Sequence, residues 1–103
     1  VNILKKLIYR SFYFLSSCIR GQDKFKKIVI DDYGSIKYYF NSQLHREDGP
    51  AIEGARGHKE WWIHGQRHRV DGPAIEYVYG NKHWYLHGEL HREDGPAVVL
   101  ANG

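Results

Sequence analysis

Four glycines, Gly34, Gly57, Gly80 and Gly103, stand 23 residues apart and divide most of the chain into three units of equal length. The units read GSIKYYFNSQLHREDGPAIEGAR, GHKEWWIHGQRHRVDGPAIEYVY and GNKHWYLHGELHREDGPAVVLAN. His, Arg, Asp, Gly, Pro and Ala recur in register, and His45, His68 and His91 each open an HR-x-DGPA run. Six positions identical in three units mark a repeat architecture, in which a unit buries its apolar surface against its neighbours. Whatever one unit folds into, three must fold into and stack.

Within a unit the local chemistry is that of a hairpin. Aromatic and β-branched runs such as Lys82-His83-Trp84-Tyr85-Leu86 predict the first strand. Ser42, Gly65 and Gly88 follow two residues later, where the chain must turn. In HR-x-DGPA the glycine is expected to supply a positive φ or a bulge, and the proline removes a ladder donor. A second strand then runs through Ala-Ile or Ala-Val to the next unit's glycine. Upstream, residues 25–33 (FKKIVIDDY) read as a degenerate half-repeat, with Ile28 and Ile30 in a strand ending at Asp31-Asp32. The expected organisation is one domain over 1–103, with repeats at 34–56, 57–79 and 80–102 and about seven short antiparallel strands.

The 23-residue period, the aromatic strand, the glycine turn and the His-Gly-x-x-His corner together resemble MORN repeats and their bacterial variants, over residues 34–103 and into 28–33. Where MORN units carry His-Gly-x-Gly, this chain has His-Arg-x-Asp-Gly-Pro-Ala, a version similar to one in small bacterial, phage and giant-virus proteins. The resemblance implies a ladder of β-hairpins used as an interaction scaffold, sometimes lipid-associated, with no catalytic residues.

Strand alternation sorts the aromatic residues into two sets. Tyr38, Trp61 and Trp84 share a side with Phe40, Ile63 and Leu86, and this set is expected to be core. Tyr39, Trp62 and Tyr85, with Asn41, His64 and His87, form the expected solvent-facing stripe. A sheet with one apolar face needs a cover, and residues 3–20 offer one. At about 100° per residue, Ile3, Leu4, Leu7, Ile8, Phe12, Phe14, Leu15, Cys18 and Ile19 fall within an arc of about 180°. Lys5, Lys6, Arg10 and Arg20 lie opposite. A helix of that length spans about 27 Å, close to the roughly 29 Å width of seven strands. The fold expected is therefore mainly β, with one N-terminal amphipathic α-helix covering or capping the sheet.

Composition removes several classes. The chain has 103 residues, too few for a cofactor domain beside a substrate domain, and its 42% hydrophobic and 15% aromatic content is too high for disorder. Cys18 is the single cysteine, so no intramolecular disulfide and no cysteine zinc site can form. The net charge of +3 divides unevenly: residues 1–27 carry seven cations against Asp23, leaving the repeats net acidic. That acidity disfavours a phosphate backbone as partner. No nucleophile is paired with a base, and no glycine-rich phosphate loop appears, so no enzyme activity and no cofactor are expected. All seven histidines lie in the repeats; the pairs His64/His68 and His87/His91 could approach one metal ion across a turn, but lack a third ligand. Arg46/Asp48, Arg69/Asp71 and Arg92/Asp94 occur once per unit, as a structural ladder of ion pairs does and a single catalytic constellation does not.

The function expected is that of a non-enzymatic protein-binding module. Tyr39, Trp62, Tyr85, His64 and His87 are the candidate partner-binding residues, being large aromatics with polar tips of the kind that dominate interfaces. By analogy with phage-type repeat proteins, the role expected is accessory inhibitor, an antitoxin, an immunity protein or an antagonist of a defence nuclease such as a CRISPR effector. Its place would be the cytoplasm. The alternative is a peripheral membrane scaffold anchored through Lys5, Lys6, Arg10 and Arg20. Leu15-Ser16-Ser17-Cys18 also has lipobox residue types, but Arg10 interrupts the apolar run that a lipoprotein signal requires. No stretch is long and uncharged enough to span a membrane. An edge strand near Leu100–Gly103 leaves a homodimer open.

Overall fold

The computed structural model of the protein describes residues 26–102; the expected helix at 3–20, its basic residues and Cys18 lie outside them. Twelve short strands follow in chain order, all paired antiparallel. They are β1 (Lys26–Ile30), β2 (Ile36–Phe40), β3 (Gln43–Leu44), β4 (Ile52–Glu53), β5 (Lys59–Glu60), β6 (Trp62–Ile63), β7 (Gln66–Arg67), β8 (Ile75–Glu76), β9 (Lys82–His83), β10 (Tyr85–Leu86), β11 (Glu89–Leu90) and β12 (Val98–Val99). A continuous ladder takes seven of them in the order β1-β2-β4-β5-β8-β9-β12. The others are side limbs: β3 pairs the end of β2, β6 pairs β7 and β10 pairs β11.

The registers repeat with the period of the sequence. Ile36 faces Glu53, Lys59 faces Glu76 and Lys82 faces Val99, while Tyr39↔Leu44, Trp62↔Arg67 and Tyr85↔Leu90 close the three limbs. Each unit's first strand serves both layers, and the residue at the changeover is Tyr38, Trp61 or Trp84. Its N–H donates into the ladder, to Ala51, Ala74 or Ala97 at 2.8 Å, and its carbonyl accepts from His45, His68 or His91 in the limb. This explains why β5/β6 and β9/β10 are separate strands. In the first unit β1 pairs along the whole of β2 and holds it straight.

Two kinds of turn join the strands. The limbs close through two residues that both have positive φ: Asn41-Ser42 (52° and 66°), His64-Gly65 (49° and 79°) and His87-Gly88 (51° and 84°). That is the type I′ geometry, whose twist matches a right-twisted hairpin. Between units, Gly34, Gly57 and Gly80 take φ of 92°, 106° and 100°, with the N–H of each donating to the carbonyl of Asp31, Gly54 or Tyr77.

The expected division into a core face and a solvent face is not what forms. Among the described residues only Ala51, Ala74 and Ile75 are buried. Tyr38, Trp61, Trp84, Phe40, Ile63 and Leu86 are half-buried, and so are Tyr39, Trp62 and Tyr85. In units 2 and 3 alternation fails because the first strand leaves the ladder at Trp61 or Trp84, so its two halves belong to different sheets. The small alanine of DGPA sits at that crossing and is enclosed completely in the first two units.

Candidate functional site

Each HR-x-DGPA loop is folded around its arginine. Arg46 Nε donates to Asp48 at 2.9 Å, its Nη1 donates to the Pro50 carbonyl at 3.1 Å and to Glu53 at 2.6 Å, and the guanidinium lies 4.0 Å over the Tyr38 ring. Arg69 repeats this with Asp71, Pro73, Glu76 and Trp61, its guanidinium 3.8 Å over the ring. Arg92 holds Asp94 and Pro96 over Trp84, but Val99 stands where the carboxylate should be. The Asp members are exposed, so solvent screens their pairing; stacking on the ring and the proline carbonyl fix the loop. The hydrogen bond from Arg46, followed by its charge, holds the Asp48 carboxyl below its ordinary range. The DGPA glycines do not have positive φ, the first of the two roles expected of them. They are needed for room: a Cβ on Gly49, Gly72 or Gly95 would stand 3.1, 2.9 or 3.0 Å from the arginine Cζ.

The histidines join one unit to the next. His45 Nδ1 accepts from the N–H of His64 at 2.9 Å, and His68 Nδ1 from the N–H of His87 at 3.0 Å. The paired rings lie against each other at tilts of 35° and 42°, with centroids 4.4 and 4.5 Å apart. The pairs that form are therefore His45/His64 and His68/His87, across the unit boundary, rather than His64/His68 and His87/His91 across a turn. Strand spacing keeps equivalent residues of adjacent units far apart, but His45 and His64 are not equivalent, and the turn of one limb reaches the corner of the previous one. Among the described residues no group of three or more His, Cys, Asp or Glu is placed to hold a metal ion.

Of the expected binding stripe, Trp62 and Tyr85 share a contact, whereas the corresponding Tyr39 of unit 1 faces Leu44. The link is Arg67, whose guanidinium lies 4.9 Å from the Trp62 ring and 5.4 Å from the Tyr85 ring. Glu60, its side chain only 12% exposed, anchors the arrangement: it accepts from Trp62 Nε1 at 2.9 Å and Arg67 Nε at 3.3 Å, with His58 Nε2 at 2.8 Å on its other oxygen. Burial pushes the Glu60 carboxyl up, but the hydrogen bonds from His58, Trp62 and Arg67, with the Arg67 charge, outweigh it and hold the group below its ordinary value. Ring contacts extend the patch from His58 to Tyr77 (5.0 Å), Tyr77 to His83 (5.2 Å) and His83 to Tyr85 (6.5 Å). His64 and His87 are exposed at the limb tips, with their backbone and rings committed to the unit boundary.

Sequence reasoning missed His58, Glu60, Arg67, Tyr77 and His83. The signal was present as departures from the repeat. Where unit 2 has His58, Glu60 and Arg67, unit 1 has Ser35, Lys37 and Leu44, and unit 3 has Asn81, His83 and Leu90. Ser35 and Asn81 use their side chains to accept the N–H of Ala55 and Ala101; His58 turns instead to Glu60 and Tyr77. Among the described residues, no helix is long and apolar enough to cross a membrane. The chain matches no protein-family model, no curated protein and no solved structure.

Proposed function

We propose that the chain is a non-enzymatic, protein-binding repeat module whose contact surface centres on Trp62, Arg67 and Tyr85. The observation that carries this reading is the arginine held between two half-buried aromatic rings by an enclosed carboxylate. Trp, Tyr and Arg are the residues that most often dominate binding energy, and a side chain already fixed in place loses little freedom on association. Arg67 remains 38% exposed with its Nε occupied by Glu60, and its remaining N–H donors suit a carboxylate or carbonyl. Glu60, accepting three donors, is an anchor rather than a base. The narrower role of accessory inhibitor rests on the resemblance to phage-type repeat proteins, and a captured partner decides it.

The test is Arg67→Leu. Leucine occupies this position in both other units, so the substitution keeps the repeat and its fold. In affinity capture from a bacterial lysate followed by mass spectrometry, the wild-type chain enriches a partner that R67L loses, with circular dichroism spectra superimposable. Equal capture by both chains would sink the assignment.

A further inference from the structure

The ladder sorts its charges by side. Residues paired directly across strands project from the same side of a sheet, so the registers define two rows. One runs Ile36, Glu53, Lys59, Glu76, Lys82, its charges alternating in sign from strand to strand. Glu53 and Glu76 also accept from Arg46 and Arg69, which stack on Tyr38 and Trp61 and bring Asp48 and Asp71 to the same side. The charges of that side are matched within it. The other row runs Lys37, Ile52, Glu60, Ile75, His83. Glu60 is its one carboxylate, and His58, Trp62 and Arg67 occupy both oxygens. Lys37 is exposed and forms no ion pair among the described residues. The Arg67 side chain hydrogen-bonds to them through Nε alone. The repeats are net acidic as a whole, yet the side carrying Trp62, Tyr77 and Tyr85 offers unmatched cations and, in its row, no available carboxylate.

We propose that this side binds an acidic peptide segment of the partner protein. The proposal rests on Trp62, Arg67 and Tyr85 being the contact surface, and names the chemistry of what meets it. A guanidinium held at Nε keeps an edge of Nη donors that pairs a carboxylate through two hydrogen bonds, here beside the Trp62 and Tyr85 rings. Lys37 takes a second carboxylate, two strands along the row from Glu60. The aromatic surface between them suits apolar residues placed between the acids. A phosphodiester strand fits less well, because it carries a charge at every residue and would run past these two cations onto the acidic turn Asp31-Asp32. A peptide carries its carboxylates only where the cations stand. Such complementarity acts on encounter and register, so binding weakens as salt is added.

The probe is a random peptide library displayed on phage, panned on the immobilised 103-residue chain, with the recovered peptides resynthesised and titrated against it. Net acidic sequences that also carry aromatic or aliphatic residues are expected. Lys37→Glu weakens their binding by about tenfold, and Arg67→Leu does so at least as strongly. Lys82→Glu makes the same change of net charge on the opposite side and leaves binding within about twofold; circular dichroism shows that all three variants stay folded. If the recovered peptides are neutral or basic yet depend on Arg67, the contact surface stands and the acidic occupant is overturned. If acidic peptides bind the Arg67→Leu chain as tightly as the parent, both assignments fall. The proposal is also overturned if panning enriches nothing, or if Lys37→Glu and Lys82→Glu act equally. Two further results overturn it by naming another occupant: a single-stranded oligothymidylate that displaces every peptide, or a dimer of the chain that Arg67→Leu dissociates.

Discussion

At the scale of single residues, the most demanding positions are those that lie against an arginine. Gly72 stands closest, and the guanidinium it faces is pinned by Asp71, the Pro73 carbonyl, Glu76 and the Trp61 ring. Gly72→Ala forces that group to give up some of these contacts and is expected to cost about 2 kcal/mol. Gly95→Ala costs less, because Arg92 has no second carboxylate partner and can retreat. Urea denaturation of the two variants checks the order. His68 provides a second residue-scale test. His45 has Glu47 at 3.6 Å and His91 has Glu93 at 3.7 Å, whereas the corresponding neighbour of His68 is Val70. Burial, then the charge of His87, hold the His68 imidazole below its ordinary value, so the folded chain keeps it neutral where the unfolded chain protonates it. Stability from this group is complete above about pH 6.5. It falls as pH drops through the folded value, because unfolding then takes up a proton. His68→Asn keeps an acceptor near Nδ1 and does not titrate; its melting temperature should fall less steeply than the parent's between pH 7 and 5.

At the scale of elements, the turns were more legible than the strands. Ser42, Gly65 and Gly88 were placed from spacing and residue type, because few residues tolerate a left-handed backbone. The same argument makes Ser42, at φ 66°, the weakest of the three tips. Ser42→Gly relieves strain of about 1 kcal/mol, partly offset by the freer unfolded chain, so a net gain of about 0.5 kcal/mol is expected in thermal unfolding. Strand faces were misread because a period of two presumes that one strand stays in one sheet. Trp61 and Trp84 hand the chain from ladder to limb, and nothing in their own side chains announces it; the cue is the small alanine five residues past the arginine of each loop. The candidate site was half legible for a related reason. Aromatic content pointed to Trp62 and Tyr85, but Arg67 and Glu60 matter through contacts that only the pairing Trp62↔Arg67 and the unit boundary create.

For the molecule as a whole, protection should follow position in the stack. Interior units have neighbours on both sides, and the fully enclosed side chains, Ala51, Ala74 and Ile75, belong to the first two. Hydrogen exchange is expected to be slowest at the amides of Tyr38, Trp61 and Ala74 and measurably faster at Trp84, although all four make bonds of 2.8 Å. Equal protection would mean that the array opens as one cooperative block. The shared register has a further consequence for how such a chain can change length. Removing residues 57–79 would bring Gly80 to the place of Gly57 and set His87 against His45, leaving one boundary of the same design intact. Loss or gain of one whole period is thus a conservative edit for the scaffold, while a change of any other length shifts every later side chain out of step. Yet that same deletion erases Glu60 and Arg67, which no other unit duplicates. The framework is redundant and the recognition surface is not, so copy number and binding can vary as separate traits of one gene.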